Sequence, residues 1–380
     1  MNILVGSVTY PLANGVTTSI NTSVDGFLAR GHKVAVVAPR YDGIGKSRPE
    51  HYPITSSELG RWFMAAWHKK ERLFSATSGT GEIAKVIKQF EPDAFWLHTL
   101  SWSSNAFERL MVKSGQPTVL TYHTLVEDYG RAYGGEVGAW RMRNRSRDVA
   151  NKMDAVIVPS QVIAKRLEIY GATTPTTVIP TGISIPDTHY SRSELAARFH
   201  FPSDAKVLLY VGRVSREKNI NKLVRMVQPL LQDKSSVLLL VGPGDVLETN
   251  DYANELRVGD RVICTGALPK EDTQRIYGAC DAFVFASQTE TQGLVIGEAM
   301  LADLPVVALT SPIQPEVYPD EVAVVVRNDK QFAPSVRQIW SNDKKRQQLT
   351  AAAKKFVEKN FSIDGMITKQ IQLFENLIDS

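Results

Sequence analysis

Two short stretches concentrate the residue types that can manage a phosphate leaving group. In VGRVSREKNINKLV, Arg213 and Lys218 stand between the apolar run KVLLYVG and a helix-like segment. Arg213 offers a planar fork to phosphate oxygens and Lys218 a compact point charge. At a strand mouth beside a helix N-terminus, whose N–H groups lack internal partners, the pair makes a diphosphate trap and can offset charge growing on a departing group. Asn219 is placed to open the helix that follows. A solvated basic turn would look the same alone, so the assignment leans on a second stretch. There, in SQTETQGLVIGEAM, Glu290 and Glu298 flank Gly293. A loop carboxylate can accept hydrogen bonds from vicinal sugar hydroxyls, Gly293 lets backbone approach closely, and an acid on the helix can hold a ribose diol. The plain alternative is one acid favoured by the helix dipole and one facing solvent.

Both stretches need strands that end where helices begin. Apolar runs of strand length alternate with segments of helical period: NILVGSV, KVAVVAP, AFWLH, TVLTY and AVIVPS, then KVLLYVG, SVLLLVG, RVICTG, DAFVFAS and LPVVAL. That rhythm predicts parallel strands with covering helices. It breaks at VIPTGISIPDTHY, where Pro180, Gly182 and Pro186 mark a linker. The expectation is two doubly wound, Rossmann-like α/β domains, 1–185 and 190–362, facing a central cleft. The final helical stretch, about 363–380, has no strand after it and is free to pack back on the first domain.

A chain of 380 residues suits two cores. No apolar run approaches the roughly 20 residues that span a bilayer, and Met1 leads straight into a strand rather than a secretory signal, so a cytoplasmic location is expected. Cys264 and Cys280, the only cysteines, read as core filler and exclude a disulfide framework or a four-ligand zinc site. Residues 1–190 hold 21 Lys and Arg against 16 Asp and Glu, while residues 191–380 hold 23 against 24. The excess on the first half could mark an anionic partner, though ordinary solvated surfaces carry as much. GRWFMAAWHKKERLF, at 60–74, interleaves Trp62, Phe63, Trp67 and Phe74 with Arg61, Lys69, Lys70 and Arg72, a combination suited to a lipid headgroup interface. A second basic run, WRMRNRSR at 140–147, falls in the same half and is expected on the same surface.

The order G-R-x4-K, then E-x7-E with a central Q-G-L and trailing EAM, resembles the donor site of glycosyltransferase family four. The resemblance extends to the Gly15 turn of YPLANGVTTSI, IPTGI at 179–183 and VGPGD at 241–245. It implies the GT-B fold and metal-independent, retaining transfer in which the leaving phosphate assists the acceptor hydroxyl. By position it implies that Arg213 and Lys218 bind the donor diphosphate, Glu290 the transferred sugar and Glu298 the ribose. The Gly293–Leu294 backbone would face sugar or phosphate, and Gly15 would let the first loop approach the phosphates. His123, which ends strand TVLTYH, corresponds to a histidine of the family's catalytic cleft; Glu127 and Asp128 beside it become candidate acceptor contacts. His98 ends another strand, ahead of SWSSNAF, a loop less rich in glycine than in similar sequences.

TYHTLVEDY and TETQGLV are also similar to bacterial diacylglycerol glucosyltransferases, which implies UDP-glucose as donor substrate, no cofactor, and a lipid acceptor reached peripherally from the cytoplasmic face. No nucleic-acid or protein partner is expected. The alternatives are a hexosyltransferase with a soluble or polysaccharide acceptor and, of another class, a two-domain sugar- or nucleotide-binding protein without activity. A dinucleotide oxidoreductase would need G-x-G-x-x-G after the first strand, where SVTYPLANGV has only Gly15.

Overall fold

The computed structural model describes residues 1–12, 14–41, 46–55, 79–100 and 106–380, apart from the side chains of 129, 132 and 133. The chain forms two compact units, Met1–Gly182 with Ile363–Ser380, and Ile183–Ser362.

The first unit is built on seven parallel strands: β1 (Asn2–Gly6), β2 (Lys33–Pro39), β3 (His51–Ile54), β4 (Ala94–Leu97), β5 (Thr118–Thr121), β6 (Ala155–Val158) and β7 (Thr176–Val178). Their spatial order is β3-β2-β1-β4-β5-β6-β7. The strands read as unbroken apolar runs because helices cover both faces. Alternate residues divide between two cores. Leu4, Val37, Phe95, Leu97 and Leu120 point to one side; Ile3, Val5, Val36, Trp96 and Val119 point to the other. The helix Ile363–Ile378 completes the second core, placing Met366, Ile367 and Phe374 among Phe27, Trp96 and Ile157. Phe374 meets Trp96 at 5.1 Å and Phe27 at 6.0 Å between ring centroids.

The second unit has six parallel strands: β8 (Lys206–Val211), β9 (Ser236–Val241), β10 (Val262–Gly266), β11 (Ala282–Phe285), β12 (Val306–Leu309) and β13 (Val324–Val326), in the order β10-β9-β8-β11-β12-β13. The short strands β3, β7 and β13 are the ones the apolar rhythm does not announce; each lies at a sheet edge. Residues 183–190, read from sequence as linker, belong to the second unit. Ile183 N–H donates to the Phe361 carbonyl at 2.9 Å, Gln274 donates to the Ser184 carbonyl at 3.0 Å, and Tyr190 N–H donates to the Arg275 carbonyl at 2.9 Å. Among the described residues no helix is long and apolar enough to cross a membrane.

In each sheet the strand order reverses once, between β1 and β4 and between β8 and β11. Loops leaving the carboxyl ends of such strands diverge to opposite faces and open a crevice suited to a ligand.

Candidate active site

Arg213 to Asn219 leave β8 and Ser287 to Gly293 leave β11, the two strands that flank the reversal in the second unit. The first loop is held from behind by VGPGD. Val214 N–H donates to the Pro243 carbonyl at 2.8 Å and Asp245 N–H to the Val214 carbonyl at 2.7 Å. Gly244 is what allows this: its φ is +146°, and a Cβ there would stand 1.9 Å from the Val214 oxygen. The backbone on both sides of Arg213 is therefore fixed, with the Tyr210 hydroxyl donating to the Arg213 carbonyl at 3.0 Å. The Arg213 guanidinium lies 3.4 Å from Glu217.

A single 3-10 turn, Arg216–Lys218, presents Lys218. Asn219 then starts the helix Ile220–Leu231 through a left-handed backbone, φ +58°, and not through the side-chain cap its type suggests; its amide instead donates to the Ala286 carbonyl at 3.0 Å. The Thr289 hydroxyl donates to the Glu217 carbonyl at 3.3 Å. These two bonds lace the loops after β8 and β11 together, and they bring Lys218 Nζ to 2.6 Å from Glu290 Oε1, with the side chains only 15% and 18% exposed. Burial alone would raise the Glu290 pKa. The Lys218 charge and hydrogen bond, a hydrogen bond with Ser287 and the Arg213 charge outweigh it, so the carboxyl sits below its ordinary range.

Gly293, at φ +69°, turns the chain into the helix Leu294–Leu301, which begins with Leu294 four residues after Glu290. Glu298 lies on that helix, half-buried. Its Oε2 accepts from the Tyr277 hydroxyl at 2.8 Å and its Oε1 from the Gln274 amide at 3.2 Å. Burial raises its pKa, against the opposing pull of Tyr277, Gln274 and the Lys270 charge. Arg213, Lys218, Glu290, Gly293 and Glu298, separated by up to 85 positions in sequence, thus lie on the loops and helix that leave the carboxyl ends of the neighbouring strands β8 and β11. Cations, a helix N-terminus and two carboxylates with spare lone pairs can hold an anion and a polyhydroxyl group side by side. Tyr277 and Gln274 escaped the sequence reading: both sit on an ordinary amphipathic turn, and only their spacing of three residues on one helical face hints at a shared target.

In the first unit Gly15 begins the helix Gly15–Ala29 after β1, capped by Asn14, whose Oδ1 accepts from Thr17 N–H at 2.9 Å. His98 and His123 end the neighbouring strands β4 and β5. Their rings stack at 5.1 Å, and His98 Nδ1 lies 2.9 Å from His123 Nε2. Burial drives the His98 pKa far down and the His123 pKa to about 4, so at neutral pH both imidazoles are uncharged. The sequence marked each histidine as a strand end; adjacency of the strands makes them a pair.

Two expectations need correction. Glu127 is 3% exposed and serves as a hub: it accepts from Arg131 at 2.8 Å and Arg143 at 2.9 Å, and also binds the Tyr170 hydroxyl. Asp128 pairs with Arg131 at 3.2 Å. Glu127 is thus committed to tying the helix Val126–Ala150 to Tyr170 and not presented to an acceptor, whereas the Asp128 side chain, in a pair within the same helix, is 26% exposed. The run 140–147 is not one basic surface either, because a helix turns successive residues about its axis. Arg143 points to Glu127 and Arg145 to the buried Glu108, while Trp140, Arg141 and the Arg147–Asp148 pair stay on the exposed side. Trp62, Trp67, Lys69, Lys70 and Arg72 lie outside the described residues. Cys264 and Cys280 are unbridged and half-buried, and burial pushes the Cys264 thiol up to about 11.

Residues 13–185 match the family described as Glycosyltransferase Family 4, and residues 191–356 match Glycosyl transferases group 1. Two proteins named alpha-monoglucosyldiacylglycerol synthase are similar. That of Streptococcus pneumoniae is 29% identical over 80% of this chain and 69% of its own length; that of Acholeplasma laidlawii is 26% identical over 78% and 77%. Among solved structures, sucrose-phosphate synthase from Thermosynechococcus elongatus superimposes with a TM-score of 0.81 at 20% identity, covering 100% of this chain and 99% of that one. HepE of Anabaena, solved in complex with UDP-glucose, gives 0.76 at 17% identity over 99% and 100%. Two Rossmann-like parallel-sheet units, a cation–carboxylate cluster at the strand reversal of the second, and matches that span both units place this chain among the group 1, family 4 glycosyltransferases of the GT-B fold.

Proposed function

We propose that the chain moves glucose from UDP-glucose to a hydroxyl of diacylglycerol or a related membrane lipid, with retention at the anomeric carbon and without a metal ion. The observation that carries the reading is the meeting of Arg213, Lys218 and Glu290 at the N-terminus of the helix Leu294–Leu301. Arg213 and Lys218 take the role a divalent ion would otherwise fill, offsetting charge on the diphosphate as the glycosidic bond breaks. Glu290 accepts hydrogen bonds from sugar hydroxyls, and Glu298 from the ribose. The acceptor oxygen bonds to the anomeric carbon on the face the diphosphate leaves, and its proton passes to a diphosphate oxygen. An uncharged His123 suits contact with a hydroxyl, because it does not attract the hydroxyl's proton strongly. The lipid acceptor and the glucosyl donor are supported by the names of the relatives, and docking on an anionic leaflet by the aromatic and basic residues Trp62, Trp67, Lys69, Lys70 and Arg72.

The test is a panel of sugar nucleotides supplied with vesicles that contain or lack diacylglycerol and anionic lipid, followed by glycolipid formation and flotation. UDP-glucose should give glycolipid, and the wild type should float at low salt while the Lys69, Lys70, Arg72 triple Ala variant does not. Transfer to a soluble sugar with no response to vesicles would replace the lipid acceptor by a soluble one.

A further inference from the structure

The hydrogen bonds that reach Glu298 from behind are more orderly than packing requires. Each carboxylate oxygen has two lone pairs. Tyr277 occupies one on Oε2 at 2.8 Å and Gln274 one on Oε1 at 3.2 Å, so each oxygen keeps one acceptor position. Two acceptors on one planar group match the two adjacent hydroxyls of a ribose. Tyr277 is fully buried, and Glu298 is its hydroxyl's partner; a phenylalanine would fill the same volume. Gln274 is also buried, and its amide nitrogen donates both to Glu298 and to the Ser184 carbonyl at 3.0 Å, so both hydrogens are used and the amide cannot turn.

The support continues outward. The turn that carries these residues is pinned by Tyr190, whose N–H donates to the Arg275 carbonyl at 2.9 Å and whose ring lies 4.2 Å beneath the Arg275 guanidinium. The His189 ring lies against Gly278, where a Cβ would come within 2.4 Å of it.

We propose that Tyr277 and Gln274 are positioning residues that hold the Glu298 carboxylate in one orientation for both ribose hydroxyls, and so set the preference for ribonucleotides over deoxyribonucleotides. The inference rests on the donor-site reading of Glu298. Without its backing donors the carboxylate can swing about its terminal bond and present its oxygens to only one hydroxyl at a time. The two donors also help keep it ionised, against the burial that raises its pKa.

Titration calorimetry of the whole chain with UDP and with 2′,3′-dideoxy-UDP reads the effect as a ratio of affinities. Both ligands are measured on one preparation, so an inactive fraction does not alter the ratio. Tyr277→Phe and Gln274→Met should each weaken UDP binding by roughly 10- to 100-fold, the scale of a hydrogen bond to a charged group, and leave the dideoxy ligand unchanged. Glu298→Gln should remove most of the wild-type preference. If Glu298→Gln removes it while both positioning variants keep it, or weaken the two ligands equally, Tyr277 and Gln274 are structural only and the inference is overturned. If Glu298→Gln leaves the preference intact, the ribose role of Glu298 falls with it.

Discussion

Replacing Glu290 by Gln separates two uses of Lys218, which in the unliganded protein is held by Glu290 and in the proposed donor complex by a phosphate. The two charges stand 2.6 Å apart, both mostly buried. At an effective dielectric of about 20 their attraction is roughly 6 kcal/mol, much of it offset by the cost of removing both from water. A hydrogen bond to a charged group leaves a net contribution of about 1.5–3 kcal/mol, with the Lys218–carboxylate pair near the upper end of that range and a Lys218 bond to a neutral amide near the lower. A bare nucleoside diphosphate, which brings no sugar to engage Glu290, competes with the full ion pair in the wild type and with the weaker bond in Glu290→Gln. The difference of about 1 kcal/mol predicts UDP binding tighter by about fivefold in the variant. Turnover should move the other way, falling roughly 100-fold or more, because the carboxylate that orients the sugar is gone. Calorimetry with UDP and initial rates of transfer measure the two effects. Weaker UDP binding in Glu290→Gln, or transfer within threefold of wild type, would refute the exchange of partners.

Arg213→Ala should lower turnover by roughly 100- to 1000-fold with an unchanged melting temperature, and near-normal turnover in the folded variant removes its role at the diphosphate. Transfer should persist in EDTA; loss restored by magnesium or manganese would mean that the two cations do not suffice. Glu127→Gln should cost about 2–3 kcal/mol in urea unfolding, because it leaves Arg131 and Arg143 around an uncharged group, while transfer by the folded fraction stays close to wild type. Since those cations and the Tyr170 bond outweigh burial and hold the Glu127 pKa below 4.5, the wild-type advantage is complete above about pH 4.5 and fades as pH falls through the depressed value. Lost turnover without lost stability would return Glu127 to the acceptor site.

Sequence was informative wherever function and local backbone need coincide. Gly293 had to be glycine for a left-handed start to its helix, and it stands between the two acids it helps to place. VGPGD was noticed only as part of the family resemblance; the structure supplies the reason, a close approach of two loops at Gly242 and Gly244. The long buried strands declared themselves as apolar runs because both faces are covered, whereas β3, β7 and β13 at the edges are too short to form a period. Charge was read less well. Glu127, Arg143 and Arg145 look like surface residues in sequence, since nothing in one dimension tells a paired buried charge from a solvated one. The same holds for Tyr277 and Gln274, whose relation to Glu298 exists only once the turn after Lys270–Ile276 is folded against the helix Leu294–Leu301.

The return of the helix Ile363–Ile378 to the first unit has a consequence for biosynthesis. On the ribosome the strands β1 to β7 emerge before the second unit, but one side of their sheet is covered only by the helix Gly15–Ala29 until Met366, Ile367, Ile371 and Phe374 have been made. The roughly 180 residues of the second unit come between, and at 5–20 residues per second they take about 10–40 s to synthesise. During that interval Ile20, Phe27 and Trp96 present an apolar face to the cell, and the second unit, continuous in sequence, can fold ahead of the first. The unit whose strands are made earlier is therefore the one that matures later, and a nascent chain stalled short of residue 363 is one that chaperones would have to hold.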